Sequence, residues 1–245
     1  MELTSTKNAT VLYAASLKDK KYRDRENKYL IEGEHLVNMA GEDIECIFTT
    51  DHTYEHDYKP VYHVNEAIIR KLSFVQAPQG IIAIVKKKEN EINYNLNRYL
   101  LCDGVADPGN MGTIIRTALA FNVDMVILAN GSVDVYNDKV IRGSQGAILK
   151  IPVVYTNMDE CVKKLQDNGV KVYASTLSKR SINLKDVKQV DRFALVVGNE
   201  GCGVSQSVQD ASDFNVKIAH SECIDSLNVG VATSIMLYYF DSISK

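Results

Sequence analysis

The chain lacks the signatures that most quickly assign a small protein to a class. Its five cysteines, Cys46, Cys102, Cys161, Cys202 and Cys223, are scattered, odd in number and never spaced as CxxC. That pattern argues against a disulfide framework and against a zinc site, and no metal is expected. No stretch approaches the ~18 consecutive apolar residues of a membrane span, and the first residues mix polar and charged side chains without a long apolar core. A cytoplasmic address with no membrane partner is expected. Charge of one sign is not in excess either: the formal net charge is -3, which gives no global attraction to a polyanion. A nucleic-acid partner would have to be held by local basic patches. The chain has no internal repeat, no GxGxxG spacing and no P-loop lysine, so the usual dinucleotide and triphosphate fingerprints are missing. His52 and His56 stand four apart without an HExxH motif, which reads as a polar loop.

What is present is the composition of a folded α/β protein. Hydrophobic residues make up 45% and charged residues 24% of 245 positions, enough apolar material for a large core and nothing that suggests disorder. Residues 44–49, 61–64 and 81–85 read as short β-branched strands, with helical spacing over Gly33–Ala40 and Asn65–Ser73 between them. The polar run Lys86-Lys87-Lys88-Glu89-Asn90-Glu91 then reads as a linker, which puts a domain boundary near residue 95. Beyond it strands and helices alternate. Strands are expected at 99–102, 125–129, 151–155, 171–175, 193–197 and 214–218. Helices are expected from about Asn110 to Phe121, around Lys139–Ile148, after a capping box at Asn157-x-x-Glu160 that Gly169 closes, and over Val229–Phe240. Such alternation predicts a mostly parallel sheet covered by helices, with a ligand beyond the carboxyl ends of its strands.

Three junctions in the second half carry small polar residues and glycine. Asp107-Pro108-Gly109-Asn110 leaves a strand and enters a helix whose free N–H groups suit an anion, with Asn110 a candidate cap. Arg116, six residues later, offers a planar cation for bidentate bonding to phosphate. Gly198-Asn199-Glu200-Gly201-Cys202-Gly203 follows an apolar strand and exposes main chain, since glycine removes the Cβ that would keep a flat ligand away. Glu200 there is either a reactive carboxylate or one that bonds nearby backbone N–H groups. Ser226-Leu227-Asn228 precedes a helix, and both polar residues suit its N-cap or a ligand at its open end. A separate run, Lys18 to Lys28, carries Lys20, Lys21, Arg23 and Arg25, with Tyr22 within it and Tyr29 directly after it. It reads equally as a phosphate-facing patch or a solvated helix face.

Taken together, NMGTIIR, GNEG and SLNVGVA in this order resemble the three motifs of the SpoU (TrmH-type) family in the SPOUT superfamily, RNA 2'-O-ribose methyltransferases. KKYRDRENKYLIEGEHLV and APQGIIAIV, earlier in the chain, are similar to the L30e-like substrate-binding domain that precedes many such catalytic domains. The likeness spans residues 15–90 and 100–240. It implies an RNA-binding domain over residues 1–95 and, over 96–245, a catalytic domain with a mostly parallel sheet and a trefoil knot. It further implies S-adenosyl-L-methionine as cofactor, a homodimer, and an RNA partner. The RNA expected first is 23S rRNA, with tRNA, or a non-catalytic RNA-binding module on the same fold, as alternatives.

The resemblance also implies roles for individual residues. Asn110, Arg116, Glu200, Ser226 and Asn228 belong to the catalytic centre, with Arg116 positioning phosphate or, as a general base, assisting deprotonation of the ribose hydroxyl. Thr176, Gly198, Ile218 and Leu227 hold the cofactor. The one departure is Gly230, where the family motif usually has a second serine.

Overall fold

A computed structural model describes residues 1–178 and 180–244. The chain divides into two compact units, one of Met1–Glu89 with Tyr136–Ile141, the other of Asn90–Val135 with Arg142–Lys245.

The first unit runs β1 (Glu2–Leu3), α1 (Ala9–Ser16), α2 (Lys20–Glu26), β2 (Lys28–Glu32), α3 (Glu34–Ala40), β3 (Ile44–Thr49), β4 (Val61–Val64), α4 (Glu66–Leu72) and β5 (Ile81–Lys86). Its sheet has the order β1-β4-β3-β5-β2, parallel at β1/β4 and β3/β4 and antiparallel at β3/β5 and β2/β5. Val11, Ala14 and Leu17 of the α1 segment and Ile68, Ile69 and Leu72 of α4 pack with Leu30, Phe48, Ile82 and Ile84 into one core. The expected strands and the helices α3 and α4 are present. Strand β2 is an addition, and its Tyr29, Leu30 and Ile31 are all buried.

Helix α2 corrects one expectation about the basic run. Arg23 is only 5% exposed, and its guanidinium donates to the carbonyls of Leu17 (3.1 Å) and Lys18 (2.7 Å). It closes the preceding turn from inside the unit and is not presented to a phosphate. Its neighbours Lys20, Lys21 and Arg25 are exposed. Lys20 pairs with Asp24, and Arg25 pairs with Glu26 at 2.7 Å while lying over the Tyr22 ring at 4.8 Å.

The second unit continues with β6 (Arg98–Asp103), α5 (Pro108–Ala120), β7 (Met125–Ala129), α6 (Asp138–Gly143), β8 (Val153–Thr156), α7 (Met158–Asp167), β9 (Lys171–Ser175), β10 (Ile182–Asn183), β11 (Phe193–Gly198), α8 (Gln206–Ala211), β12 (Phe214–Lys217) and α9 (Val229–Ile243). The first residues of α6 are among those grouped with the first unit. Seven strands form one sheet in the order β10-β12-β9-β11-β6-β7-β8, parallel at every pairing. The central β11 is buried along its whole length and β7 likewise. Unbroken apolar runs of this kind belong to strands covered on both faces, as alternation of strand and helix requires.

Local chemistry accounts for the boundaries and for three corrections. Helix α5 begins at Pro108 and is capped by Asp107, whose carboxylate accepts the Asn110 N–H at 2.8 Å, so Asn110 is not the cap. Proline suits this first turn because its missing N–H would have no helical partner there. Helix α6 stops at Gly143 and does not reach Ile148, because Gln145 (φ 50°) and Gly146 (φ 85°) turn left-handed. Strand β12 ends at Lys217, which leaves Ile218 just beyond it. Other expectations hold: Asn157 accepts the Glu160 N–H at 3.1 Å to open α7, and Gly169 closes it at φ 77°.

Candidate functional site

Because every strand of the large sheet runs the same way, the loops that follow β6, β9, β11 and β12 all emerge at one edge. The last residues of β11 and β6, Gly198 and Asp103, are register partners, and Ser175 at the end of β9 pairs with Val216 of β12. Four junctions distant in sequence are thereby forced together, as in other sheets of parallel strands that bind ligands beyond their carboxyl ends.

The turn after β11 is shaped by its own chain. Asn199 and Gly203 exchange backbone hydrogen bonds of 3.0 and 2.9 Å, and the Asn199 amide oxygen accepts the N–H groups of Gly201 and Cys202. A Cβ on Gly198 would lie 2.0 Å from the Gly203 carbonyl carbon and 2.1 Å from the Val204 nitrogen. Glycine at 198 is therefore demanded by the returning backbone, a different reason from the ligand clearance expected from the sequence.

That turn throws Glu200 toward the start of α5. Its carboxylate accepts the N–H groups of Ala106 and Asp107, both at 3.1 Å, and the Asn110 side-chain amide at 3.0 Å. Burial works against ionisation of Glu200, but the Asn110 amide and the backbone N–H groups outweigh it and hold the carboxyl below the usual glutamate range. Asn110 in turn accepts from the Asn228 amide nitrogen at 2.9 Å, and the Asn228 amide oxygen caps α9 by accepting Gly230 N–H (2.9 Å) and Val231 N–H (3.2 Å).

The direction of this chain is set at both ends. An ionised carboxylate only accepts and a helix N-terminus only donates, so both asparagine amides have one orientation that satisfies every group. Glu200, Asn110 and Asn228, one from each motif, form a single bonded line. Both readings of Glu200 from the sequence touch this arrangement, and its backbone bonds are present in full.

Beside this line lies a cavity of about 500 Å³, within the range of small-molecule sites. Thr176, Gly198, Ile218 and Leu227 all line it, as do Glu200, Ser226 and Asn228. Thr176 is buried; its hydroxyl shares a 2.6 Å hydrogen bond with Ser181, and its N–H donates to the Val216 carbonyl at 2.9 Å. Ser226 is exposed at the rim, while Ile218 and Leu227 are half-buried. Val197, Ala232 and Met236 add apolar wall.

Asn110 does not line the cavity and reaches it only through its bonds to Glu200 and Asn228. Arg116 does not line it either. It is exposed on α5 and makes no hydrogen bond or ion pair among the described residues.

Sequence reasoning did not single out Gln209, Lys217 or His220, which also line the cavity. Gln209 sits on α8, where nothing local marks it. Lys217 directly precedes Ile218 and His220 lies two residues after it, so both could have been found by reading the chain on either side of that position. Gly230 packs its α-carbon face against Thr113 of α5, where a Cβ would meet a methyl at 3.2 Å. Helices α5 and α9 are further tied by the Thr117 and Ser234 hydroxyls at 3.1 Å. Among the described residues no group of three His, Cys, Asp or Glu side chains is placed to hold a metal ion.

Comparison with known proteins matches this layout. A family model described as the SpoU rRNA Methylase family covers residues 97–238, and one described as an MRM3-like substrate binding domain covers residues 8–83. The 23S rRNA (guanosine(2553)-2'-O)-methyltransferase RlmP of Bacillus subtilis (strain 168) is 36% identical over 245 residues, spanning 97% of this chain and 98% of its own. The crystal structure of an rRNA methyltransferase from Sinorhizobium meliloti superposes with a TM-score of 0.89 at 26% identity, covering 99% of this chain and 97% of that one. The crystal structure of an AdoMet-bound rRNA methyltransferase from Sinorhizobium meliloti gives the same values.

Proposed function

The chain belongs to the SpoU rRNA Methylase family, and from that premise we propose that it methylates a ribose 2'-hydroxyl of 23S rRNA at the expense of S-adenosylmethionine. The observation that carries this reading is the meeting of three separated motifs in one bonded line, Glu200–Asn110–Asn228, two members of which line the cavity. The cavity fits the cofactor in kind. It combines apolar wall for a nucleoside with exposed main chain and small polar groups for its heteroatoms. Thr176, Gly198, Ile218 and Leu227 are the residues that would hold it. Bound there, S-adenosylmethionine supplies a methyl group already activated on a sulfonium.

The protein's share of the chemistry is then alignment and charge. The two asparagine amides, locked from both ends, fix the polar edge of the site, and the Ser226 hydroxyl at the rim is assigned to orienting a ribose. Arg116 holds an RNA phosphate and stabilises negative charge developing on the ribose oxygen. A guanidinium keeps its protons at neutral pH, so electrostatic positioning is the role assigned to it in preference to general base.

Arg116 stands apart from the cavity of its own chain, which a symmetric homodimer would remedy by setting it at the partner's. The face beside it supports that assembly: Leu119 of α5 and Val231, Ile235 and Tyr238 of α9 are exposed, Tyr238 by 65%. The trefoil knot is assigned on the family likeness and is consistent with β12 lying between β9 and β10 in the sheet. Residues 1–95 are assigned to RNA binding, with Lys20, Lys21 and Arg25 as phosphate contacts, and residues 96–245 to catalysis. Among the described residues no helix is long and apolar enough to cross a membrane, and the cytoplasm, where rRNA is found, is the proposed location.

The decisive experiment incubates the purified protein with S-adenosylmethionine and, in parallel, 23S rRNA or tRNA, then maps methylated bases and positions resistant to alkaline cleavage. One new resistant position is expected, since a 2'-O-methyl blocks attack on the adjacent phosphodiester. Methylation confined to bases, or to tRNA, would overturn the assignment.

A further inference from the structure

Among the described residues lining the cavity only Glu200, Lys217 and His220 bear ionisable side chains of the acid, lysine or histidine type. Their circumstances differ. Glu200 has both carboxylate oxygens engaged, by Ala106, Asp107 and Asn110. His220 has its Nδ1 committed to the Ile218 carbonyl at 2.9 Å. Lys217, at the end of β12 and half-buried, makes no side-chain hydrogen bond or ion pair among the described residues. The strands beside it supply no acidic register partner: it pairs with Asn183 of β10, on the other side β9 ends at Ser175 against Val216, and its own strand supplies Asn215 and Val216 before it.

Among the described residues the cavity wall thus carries one ammonium, and it is in no ion pair with a carboxylate of the wall. Partial withdrawal from water strengthens any ion pair made at such a position. We propose that Lys217 binds the α-carboxylate at the amino-acid end of the cofactor, and so selects S-adenosylmethionine and its demethylated product over nucleosides that lack this end. This rests on the cofactor reading above and adds to it the residue that recognises the charged tail. The location agrees with the rest of the site. Ile218, the adjoining residue, is assigned to the adenosyl portion, and a carboxylate is the one anionic group the cofactor possesses.

Calorimetric titration of the full-length protein tests this without reference to turnover. Two ligands are compared: S-adenosylhomocysteine, which retains the amino-acid end, and 5'-methylthioadenosine, which keeps the adenosine and thioether but lacks it. Lys217→Met is expected to weaken S-adenosylhomocysteine binding by about 10- to 100-fold, the loss typical of a hydrogen bond to a charged group, while 5'-methylthioadenosine affinity stays within about two-fold. Lys217→Arg should recover much of the difference.

Equal losses for both ligands would overturn the proposal in favour of a structural role. Unchanged binding of both would also overturn it, and weakened rRNA binding in that variant would move Lys217 to the RNA face. Failure of the wild-type protein to bind either ligand would overturn both this inference and the cofactor reading beneath it, whereas failure of the variant to differ overturns this inference alone.

Discussion

At the scale of single residues, Glu200 shows how a site carboxylate acquires its properties from neighbours that are far away in sequence. It accepts from Ala106, Asp107 and Asn110, some ninety positions earlier, and its pKa is lowered because those donors outweigh burial. A depressed carboxyl stabilises the fold above its unfolded pKa of about 4.3, and that contribution disappears as pH falls through the folded value. Urea midpoints of wild type and Glu200→Gln should therefore differ more at pH 7 than near pH 3.5; a constant gap would show that the carboxylate's charge is irrelevant. Arg116 makes the opposite case, an exposed cation with no intramolecular bond among the described residues. Replacing it by alanine should lower methyl transfer by at least about 100-fold, within the range reported for removal of a charge-stabilising group, with cofactor affinity measured by calorimetry left nearly intact. Normal turnover by that variant would remove Arg116 from the reaction.

Elements bring these residues into position through caps and close turns. Asp107 caps α5 and so releases the Asn110 side chain toward Glu200, and Asn228 caps α9 with its oxygen while its nitrogen holds Asn110. One asparagine serves helix and site together, which is why the sequence left capping and function open as alternatives at that position. The β11 turn is equally constrained. A Cβ at 198 would sit 2.0 Å from backbone that belongs to the same turn, and backbone yields less readily than a flexible side chain. Gly198→Ala should cost about 1–3 kcal/mol or more from overpacking, lowering the thermal midpoint by about 2–4 °C per kcal/mol in a chain of this size. It should also abolish cofactor binding, because the displaced turn forms part of the cavity wall. A variant that melts with the wild type and binds normally would contradict the packing argument.

For the whole molecule the open matter is assembly. The outer faces of α5 and α9 leave Leu119, Val231, Ile235 and Tyr238 exposed beside Arg116, and Phe121 meets Tyr238 edge-on at 5.9 Å between centroids. Burying such a face against its own copy would remove apolar area from water at roughly 25 cal/mol per Å². Tyr238→Asp places a charge on it and should convert the proposed dimer to monomer in sedimentation, with methyl transfer lost in parallel. A wild type that sediments as a monomer at catalytic concentrations, yet is fully active, would rule out a shared site. The two units contribute unequally to what can be tested: every residue assigned to the cavity lies between Ser175 and Met236.

Much of this was legible in the sequence because it depends on short-range chemistry. Unbroken β-branched runs specify buried parallel strands, Asn157 and Gly169 bracket a helix, and three motifs mark where strands deliver their ends. Four proposed cofactor residues line the cavity for that reason. What depends on partners distant in the chain was decided only by tertiary structure. Arg23 reads as a surface cation until Leu17 and Lys18 enclose it, Asn110 reads as a cap until Asp107 takes that place, and Gly198 reads as space for a ligand until Gly203 and Val204 fill it. Local pattern determines which elements form, since propensity and periodicity act over a few residues. It cannot determine which group each polar atom meets, since those meetings are settled when the strands align and bring remote loops to one edge.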